Sequence, residues 1–195
     1  MEKTFNDFFE KLKKRFSKSD IAKISEDCIR YDYFTSLCSN SNIESSDIIL
    51  ECPYKKSKID CFIESKSEAI EFKFFRPYGN TSIAQTRQLG NLVKDFYKLL
   101  SFQKNHKQRV EIIKIIVVAN KEMTNYINKK LHMFDDYVEQ IINVSENVLN
   151  QQEKTFQDNI KPYLNQELNI ERIFCRKLAK DGEEYAVAIF NVLFK

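Results

Sequence analysis

The run from Val110 to Ala119 restricts the possible folds of this chain more than any other stretch. It is nearly all apolar, with seven isoleucines and valines among ten residues, which is typical of a strand covered on both faces of a sheet. An amphipathic pattern precedes it and predicts a helix from Ile83 to about Phe102, begun by Thr81 or Ser82. Because a strand that follows a crossover helix lies parallel to an earlier strand, these elements predict an α/β fold with a mixed central sheet.

Two short β-rich runs precede that helix, from Lys58 to Ile63 and from Ala69 to Phe75. The five residues between them are glutamate, serine and lysine, so the two runs are expected to form a β-hairpin with a tight polar turn. If the turn is a two-residue loop over Ser65–Lys66, Asp60 lies opposite Glu71 on the neighbouring strand.

The predicted hairpin brings several charged side chains together. Side chains alternate along a strand, so Glu71 and Lys73 lie on one face and Asp60 lies across from Glu71. Like charges directly opposite each other destabilise a sheet unless something neutralises them. Ligation by one or two carboxylates with water suits Mg²⁺ or Mn²⁺, and a lysine beside them can orient or deprotonate a metal-bound water. The alternative is a solvated face of an amphipathic hairpin, which fits less well with a strand covered on both faces.

These residues resemble a known nuclease signature. Asp60, ten intervening residues and then Glu71-Phe72-Lys73 are similar to the motif of the PD-(D/E)XK nuclease superfamily, in which the Asp and the E-x-K lie on successive strands. The resemblance covers residues from about 19 to 119 and includes the predicted order of helix, three strands, helix and strand. Ile59 stands where the superfamily name has Pro, at a freely varied position. The resemblance implies a restriction-endonuclease-like core, a mixed central sheet flanked by helices.

A helix is predicted on each side of residue 19. Within residues 1–18, an amphipathic helix over residues 2 to 16 has a mainly aromatic stripe formed by Phe5, Phe8, Phe9, Leu12 and Phe16. Ser19 or Asp20 is expected to cap a second helix that runs to about Leu37. We expect the aromatic stripe to pack on the body of the protein, with a contact to a second copy or a partner as the alternative.

Asp47 to Cys52 predicts the first strand, ended by Pro53. Glu51 is a further carboxylate near the proposed site in sequence, and a metal ligand or an ordinary strand terminus explains it equally well.

The last part of the chain, residues 120–195, is expected to extend the core within a single domain over 1–195. Helices are predicted over 121–134 and from Asp135 to about Leu149, before a polar segment. A final β-hairpin turns at Asp181-Gly182, with largely apolar faces on its second strand. This hairpin is predicted either to pack in the sheet or to form a contact with a second copy or a partner protein.

The resemblance also implies a metal site. Asp60 and Glu71 correspond to the ligands of one or two Mg²⁺ ions, with Mn²⁺ as the alternative, and the backbone carbonyl of Phe72 is expected to complete the shell. The helix before the sheet commonly contributes a glutamate to the metal, and Glu26 is assigned to that role. Asp27 is the close competitor, because the helical pattern does not separate the two, and a surface carboxylate is the alternative for either.

Further site residues follow from the same resemblance. Lys73 polarises the attacking water and stabilises charge on phosphorus. Gln85 corresponds to the polar residue that leans over the site from the next helix, and Arg87 is expected to contact a phosphate. A phosphate backbone would also approach the basic turn before Asp60, which consists of Lys55, Lys56 and Lys58. An exposed polar helix turn and an ordinary solvated face are the alternatives.

Composition excludes several other chemistries. The five cysteines lie far apart with no C-x-x-C pair, and there are only two histidines, so neither a zinc site nor histidine-based acid–base catalysis is expected. The chain lacks the glycine motifs that bind phosphates and dinucleotides. The net charge of +3 is too balanced to indicate nucleic acid by itself.

No apolar run approaches the roughly 20 residues that cross a bilayer, and the first residues do not resemble a signal peptide. A cytoplasmic location without membrane contact is therefore expected. Frequent lysine, asparagine, isoleucine and phenylalanine suggest A/T-rich coding, as in an A/T-rich bacterium or its phage.

The sequence thus predicts a Mg²⁺-dependent nuclease that hydrolyses DNA as an endonuclease, with a role in restriction, phage defence or DNA repair. The alternative is a catalytically silent protein of the same fold that binds nucleic acid or another protein. A third reading is an assembly protein in which the acidic pair is incidental.

Overall fold

The computed structural model describes residues 1–76, 82–106, 110–134, 139–142 and 168–194, and it shows a mixed α/β protein with a sheet flanked by helices. None of the described helices is both long and apolar enough to cross a lipid bilayer. The elements are α1 (Glu2–Lys18), α2 (Glu26–Asn40), β1 (Ile48–Tyr54), β2 (Ser57–Ile63), β3 (Glu68–Phe75), α3 (Ser82–Asn105), β4 (Ile112–Asn120), α4 (Lys121–Leu131), β5 (Glu139–Ile142), β6 (Leu168–Lys180) and β7 (Glu183–Phe194).

The described strands form one mixed sheet in the order β1-β2-β3-β4-β7-β6-β5. Only the pairing of β3 with β4 is parallel among these strands, and it aligns Glu71 with Ile115 and Lys73 with Val117. The crossover through α3 makes this parallel pairing possible, as the apolar run of β4 predicts. The order helix, three strands, helix, strand is therefore present from α2 to β4.

Each face of the sheet carries its own apolar core. Side chains alternate along β3, so Ala69 and Phe75 pack with α3 and α4 on one face, while Ile70 and Phe72 pack with α1 and α2 on the other. The aromatic stripe of α1 lies in the second core, where Phe8 is fully buried, so it packs on the body of the protein. This arrangement makes β3 a central strand, and any charge on it is covered by a helix.

The register of the predicted hairpin is confirmed, although its loop is longer than two residues. Cys61 pairs with Ile70, and the same register would next oppose Asp60 and Glu71. The strands are joined by a 3₁₀ turn over Glu64–Lys66 that ends at the next residue, a serine with φ of 51°. The carbonyl of that serine accepts hydrogen bonds from two backbone N–H groups at the start of β4, which favours the longer loop.

The predicted start of α2 is wrong. Asp20 caps a separate 3₁₀ turn over Ile21–Lys23, where its side chain accepts a hydrogen bond from a backbone N–H. The helix begins at Glu26, and its cap is Ser25, whose Oγ accepts from the backbone N–H of Cys28. Glu26 therefore occupies the first turn of α2 instead of its interior.

Two further predictions about local elements are corrected. Pro53 does not end β1, because β1 is an edge strand and one side of it needs no N–H donors. The helix expected from Asp135 to about Leu149 is wrong where the structure describes it, since Glu139–Ile142 is a strand paired with β6. Residues 135–138 and 143–149, and the polar segment after them, lie outside the described residues.

The C-terminal hairpin is confirmed and is packed in the sheet. Asp181 and Gly182 both have positive φ, as a tight hairpin turn requires, and β7 pairs with β4 from Tyr185 to Val192. Burial of residues such as Val187 and Phe190 between the sheet and its helices explains the apolar faces of this strand.

Candidate active site

Asp60 and Glu71 meet where the ladder between β2 and β3 ends. The backbone N–H of Asp60 donates to Oε1 of Glu71 at 3.2 Å, and the backbone N–H of Phe72 donates to Oδ2 of Asp60 at 2.9 Å. Two carboxylates thus take the place of the backbone acceptors that would continue the sheet. The structure brings together the two residues that the sequence predicts to be opposite each other.

Glu26 and Arg30 reach this point from α2. Oε2 of Glu26 accepts from the backbone N–H of Phe74 at 3.1 Å, which ties the first turn of α2 to β3. Nη2 of Arg30 lies 2.9 Å from Oδ1 of Asp60 and 3.3 Å from Oε1 of Glu26. Asp27 contacts Arg30 only at the surface, with 82% of its side chain exposed. Glu26, and not Asp27, is therefore the helix carboxylate at the cluster.

Asp95 and Lys98 cover the other side of the cluster from α3. Nζ of Lys73 lies 2.6 Å from Oδ2 of Asp95. Nζ of Lys98 lies 2.7 Å from Oε1 of Glu71 and 3.2 Å from Oδ1 of Asp95. Residues three apart share a helix face, so Asp95 and Lys98 act on β3 together. Four carboxylates and three cations consequently form one network between β2, β3, α2 and α3.

Two buried carboxylate oxygens in this network lack a hydrogen-bond partner among the described residues. Glu71 is only 1% exposed, and its Oε2 has no hydrogen-bond partner in the part of the chain that the structure describes. Oδ2 of Asp95 is also buried, and its contact with Lys73 is an ion pair that lacks hydrogen-bond geometry. Buried carboxylate oxygens without donors are costly, so this point favours an additional positive group.

The charges around Glu71 also favour an additional positive group. Burial raises the pKa of Glu71 well above its ordinary value, and the nearby carboxylates of Asp95 and Asp60 raise it further. The ammonium of Lys98 opposes this effect but does not cancel it. The negative charge on Glu71 is therefore under-compensated in the protein alone.

Lys73 is held in its charged form. Burial alone would lower the pKa of Lys73, but the carboxylates of Asp95 and Glu26 outweigh it and raise the pKa above its ordinary value. At neutral pH Lys73 is thus an ammonium group that can donate hydrogen bonds and cannot accept a proton. Between the two roles open to a lysine at such a site, this favours orienting a water and stabilising negative charge over deprotonating the water.

Gln85 does not join the cluster. It lies ten residues before Asp95, which is about 15 Å along an α-helix, and its Nε2 donates to Glu122 of α4 at 2.9 Å. The position of α3 over β3 places residues in the middle of the helix, and not its first turn, against Glu71 and Lys73.

The predicted basic residues are exposed, but some are already paired. Lys58 forms an ion pair with Glu51, and Lys55 donates to Ser101 at 3.2 Å. Lys56 and Arg87 are exposed at the ends of elements that flank the cluster, in the turn after β1 and near the start of α3 respectively. Glu51 also lies 3.8 Å from Arg30, at the margin of the network.

Sequence reasoning missed Arg30, Asp95 and Lys98. Asp95 follows Leu92 by three residues and precedes Leu99 by four, so it lies on the apolar stripe of α3. A charged residue on a buried stripe requires a partner across the interface, and this is the signal that could have identified it.

The donor atoms of this site fit a hard divalent cation. Mg²⁺ is commonly held by one or two carboxylates and several waters, and Glu71 presents a buried carboxylate oxygen without a donor beside Asp60. Within the described ranges, no group of three or more His, Cys, Asp or Glu side chains is arranged to hold a metal. The residues that would hold such a cation are Asp60, Glu71 and the backbone carbonyl of Phe72, but both carboxylate oxygens of Asp60 already contact Arg30 and the N–H of Phe72. Glu26 is tied to the N–H of Phe74.

Comparison of the chain with protein-family models, with curated proteins and with solved structures gives no match.

Proposed function

We propose that this protein is a metal-dependent nuclease that hydrolyses DNA phosphodiester bonds. The observation that carries the proposal is the meeting of Asp60 and Glu71 at the end of the β2–β3 ladder, with a buried oxygen of Glu71 lacking a donor among the described residues and with Lys73 near Glu71 and paired with Asp95. The order of elements from α2 to β4, with β3 parallel to β4, also supports a restriction-endonuclease-like core.

Each residue of the cluster has a role in this proposal. Asp60, Glu71 and the carbonyl of Phe72 would hold Mg²⁺ or Mn²⁺, with Glu26 supporting them. When bound, such a cation polarises the phosphoryl group and lowers the pKa of a coordinated water. Lys73, whose ammonium is paired with Asp95 near Glu71, would stabilise negative charge that develops on the phosphate oxygens.

DNA is the substrate that the superfamily resemblance favours, with internal cleavage and a role in restriction, phage defence or repair. Lys56 and Arg87 are the exposed cations that we assign to phosphate contacts, with Lys55 and Lys58 at the rim. Contacts of this kind bind the backbone of DNA without reading its sequence, so they predict salt-dependent affinity.

A catalytically silent binding protein is the second candidate, and a specific observation favours it. Arg30 and Lys98 already contact the carboxylates that a metal would use. A site whose charges are neutralised by the chain itself can persist for structural reasons. The two candidates differ in whether a divalent cation can enter the network.

Cleavage assays with matched variants distinguish the candidates. Plasmid, linear duplex and single-stranded DNA are incubated with the protein in Mg²⁺, Mn²⁺ or EDTA, beside Asp60→Asn and Glu71→Gln. Glu64→Gln, in the exposed turn after β2, removes a carboxylate outside the network and serves as the control. We expect metal-dependent cleavage by the wild type and the control, and none by the two site variants.

Retention of cleavage by Asp60→Asn and Glu71→Gln would remove the proposed centre. No cleavage by the wild type in any metal, combined with salt-dependent DNA binding that the variants retain, would establish the silent binding protein instead.

A further inference from the structure

Lys98 occupies the position beside Glu71 that a divalent cation would need. Its Nζ lies 2.7 Å from Oε1 of Glu71 and 3.2 Å from Oδ1 of Asp95, so it bridges a carboxylate on β3 and one on α3. Lysine and a metal ion use the same lone pairs of a carboxylate oxygen. A cation bound at Oε2, which has no donor among the described residues, would lie close to this ammonium, and a cation bound to both oxygens would need the lone pairs that Lys98 uses, so the ammonium and the cation compete for the carboxylate of Glu71.

A protein that binds a metal at this point also has to fold without it. Glu71 is 1% exposed and lies beside Asp60 and Asp95, and an unpaired buried carboxylate in such surroundings is strongly destabilising. The contact with Lys98 supplies the positive charge, but it leaves Oε2 of Glu71 without a donor. The network can thus form without a metal, but one oxygen of Glu71 remains without a positive partner among the described residues.

Among the three cations, Lys98 is the one that contacts the carboxylate of Glu71, so it is the one that metal binding would displace. The guanidinium of Arg30 is held by Asp60, Glu26 and Asp27. Lysine carries a compact charge on a flexible stem, and the Lys98 side chain is 15% exposed, so its ammonium can turn toward solvent. A change of rotamer can carry its ammonium away from Glu71 while Lys73 keeps its contact with Asp95.

We propose that Lys98 is a resident counter-ion of the metal site, which holds Glu71 in the metal-free protein and is displaced when a divalent cation binds. This inference rests on the proposed function, and it goes further because it assigns Lys98 a control over metal affinity. It makes Lys98 a positioning residue that sets how much metal the protein requires.

Direct measurement of Mn²⁺ binding tests the inference without DNA or activity. Free Mn²⁺ is followed by its electron paramagnetic resonance signal during titration of the wild type, Lys98→Met, Lys98→Arg and Lys94→Met. Lys94 is exposed one turn before Lys98 on the same helix, so its variant removes a neighbouring charge and leaves the contacts of Lys98 with Glu71 and Asp95 in place. Thermal unfolding of each protein is recorded in EDTA and in Ca²⁺.

Opposite effects are expected from the two Lys98 variants. Lys98→Met should bind Mn²⁺ at least about tenfold more tightly than the wild type. In EDTA it should melt at a lower temperature than the wild type, and Ca²⁺ should raise its melting temperature by more than it raises that of the wild type. Lys98→Arg should bind Mn²⁺ more weakly, because its guanidinium can hold a carboxylate with two hydrogen bonds. Lys94→Met should behave like the wild type.

Several outcomes would overturn the inference. Unchanged or weaker Mn²⁺ binding by folded Lys98→Met, with binding and cleavage intact in the wild type, would remove the role of Lys98 and leave the nuclease standing. If Lys98→Met does not fold, unchanged or tighter binding by Lys98→Arg overturns it. Absence of both Mn²⁺ binding and cleavage in all folded proteins would overturn the nuclease as well.

Discussion

Two glutamates on β3, three residues apart, each pair with a lysine inside the protein. Glu68 lies 2.6 Å from Lys114 of β4, and Glu71 lies 2.7 Å from Lys98 of α3. Both glutamates are almost fully buried. The first pair joins two neighbouring strands on the α1 face of the sheet, near the side chains of Met1 and Phe5, whereas the second lies under α3.

The surroundings of the two pairs differ. Among the described contacts, Glu68 and Lys114 form an isolated ion pair, and both side chains are enclosed by apolar and aromatic groups. Glu71 shares Lys98 with Asp95, lies beside Asp60, and keeps one oxygen without a donor. A buried pair of one anion and one cation is neutral and stabilises the fold without a ligand. A network with excess negative charge and a donor-free oxygen can bind a further cation.

The largest effect should come from Glu71→Gln, through activity and not through stability. We expect DNA cleavage to fall by about 10³-fold or more, because the variant removes a charged oxygen from the proposed metal site. The unfolding midpoint should stay the same or rise, since burial and like charges disfavour the ionised form of Glu71. Cleavage rates and thermal unfolding at neutral pH in EDTA check both parts, and a large loss of stability would contradict the comparison.

Lys114→Met, in the isolated ion pair, should lower stability, in contrast to Glu71→Gln. It leaves Glu68 buried without its cation, so the free energy of unfolding should fall by about 3–5 kcal/mol. Lys177→Met is the control, because it breaks an exposed pair with Glu184 and should cost at most about 1 kcal/mol. Urea denaturation of both variants provides the measurement, and equal losses would show that burial does not distinguish these pairs.

Asp95→Asn should have an intermediate effect on activity. Lys73 loses the carboxylate that contributes most to raising its pKa, and Lys98 loses one of its two partners. We expect a reduction of about 10- to 100-fold in cleavage, typical of residues that orient a metal site indirectly. Asp27→Asn removes an exposed carboxylate and should cleave normally. Wild-type activity of Asp95→Asn at all Mg²⁺ concentrations would count against the role of α3.

The smallest effect should be a pH dependence of stability that belongs to Glu71. Its pKa is raised on folding, so the folded protein binds this proton more tightly than the unfolded chain does. The stabilising contribution is complete below the ordinary value of 4.5 and is lost as pH rises through the folded value. Relative to the wild type, Glu71→Gln should therefore become more stable as pH increases. Chemical denaturation from acid to neutral pH measures this difference, and an opposite slope would reverse the inferred sign.

The hairpin with Asp60 and Glu71 could be predicted because its information is local. Alternation along each strand and the polar turn between them determine the register, whatever lies above the sheet. The cap of α2 could not be assigned reliably, since Ser19, Asp20 and Ser25 are all good caps and the intervening 3₁₀ turn depends on packing.

Other features depend on contacts that are distant in sequence. The strand Glu139–Ile142 pairs with β6 across a long stretch of chain, so the local pattern did not separate it from a helix. The roles of Asp95 and Lys98 depend on which part of α3 crosses β3. For the same reason Gln85 was assigned to the site from its place at the start of α3, although the crossing point lies about ten residues further on.

The hydrogen bonds of Asp60 give this residue a structural role beside its proposed catalytic one. Its carboxylate accepts a hydrogen bond from the N–H of Phe72, and its own N–H donates to Glu71, so the side chains of both acidic residues join β2 to β3. Loss of Asp60 would be penalised even in a protein without catalysis, because the backbone N–H of Phe72 would lose its acceptor and Arg30 would lose an anionic partner. An aspartate at this position is thus weak evidence for the proposed activity, because its structural role alone would retain it.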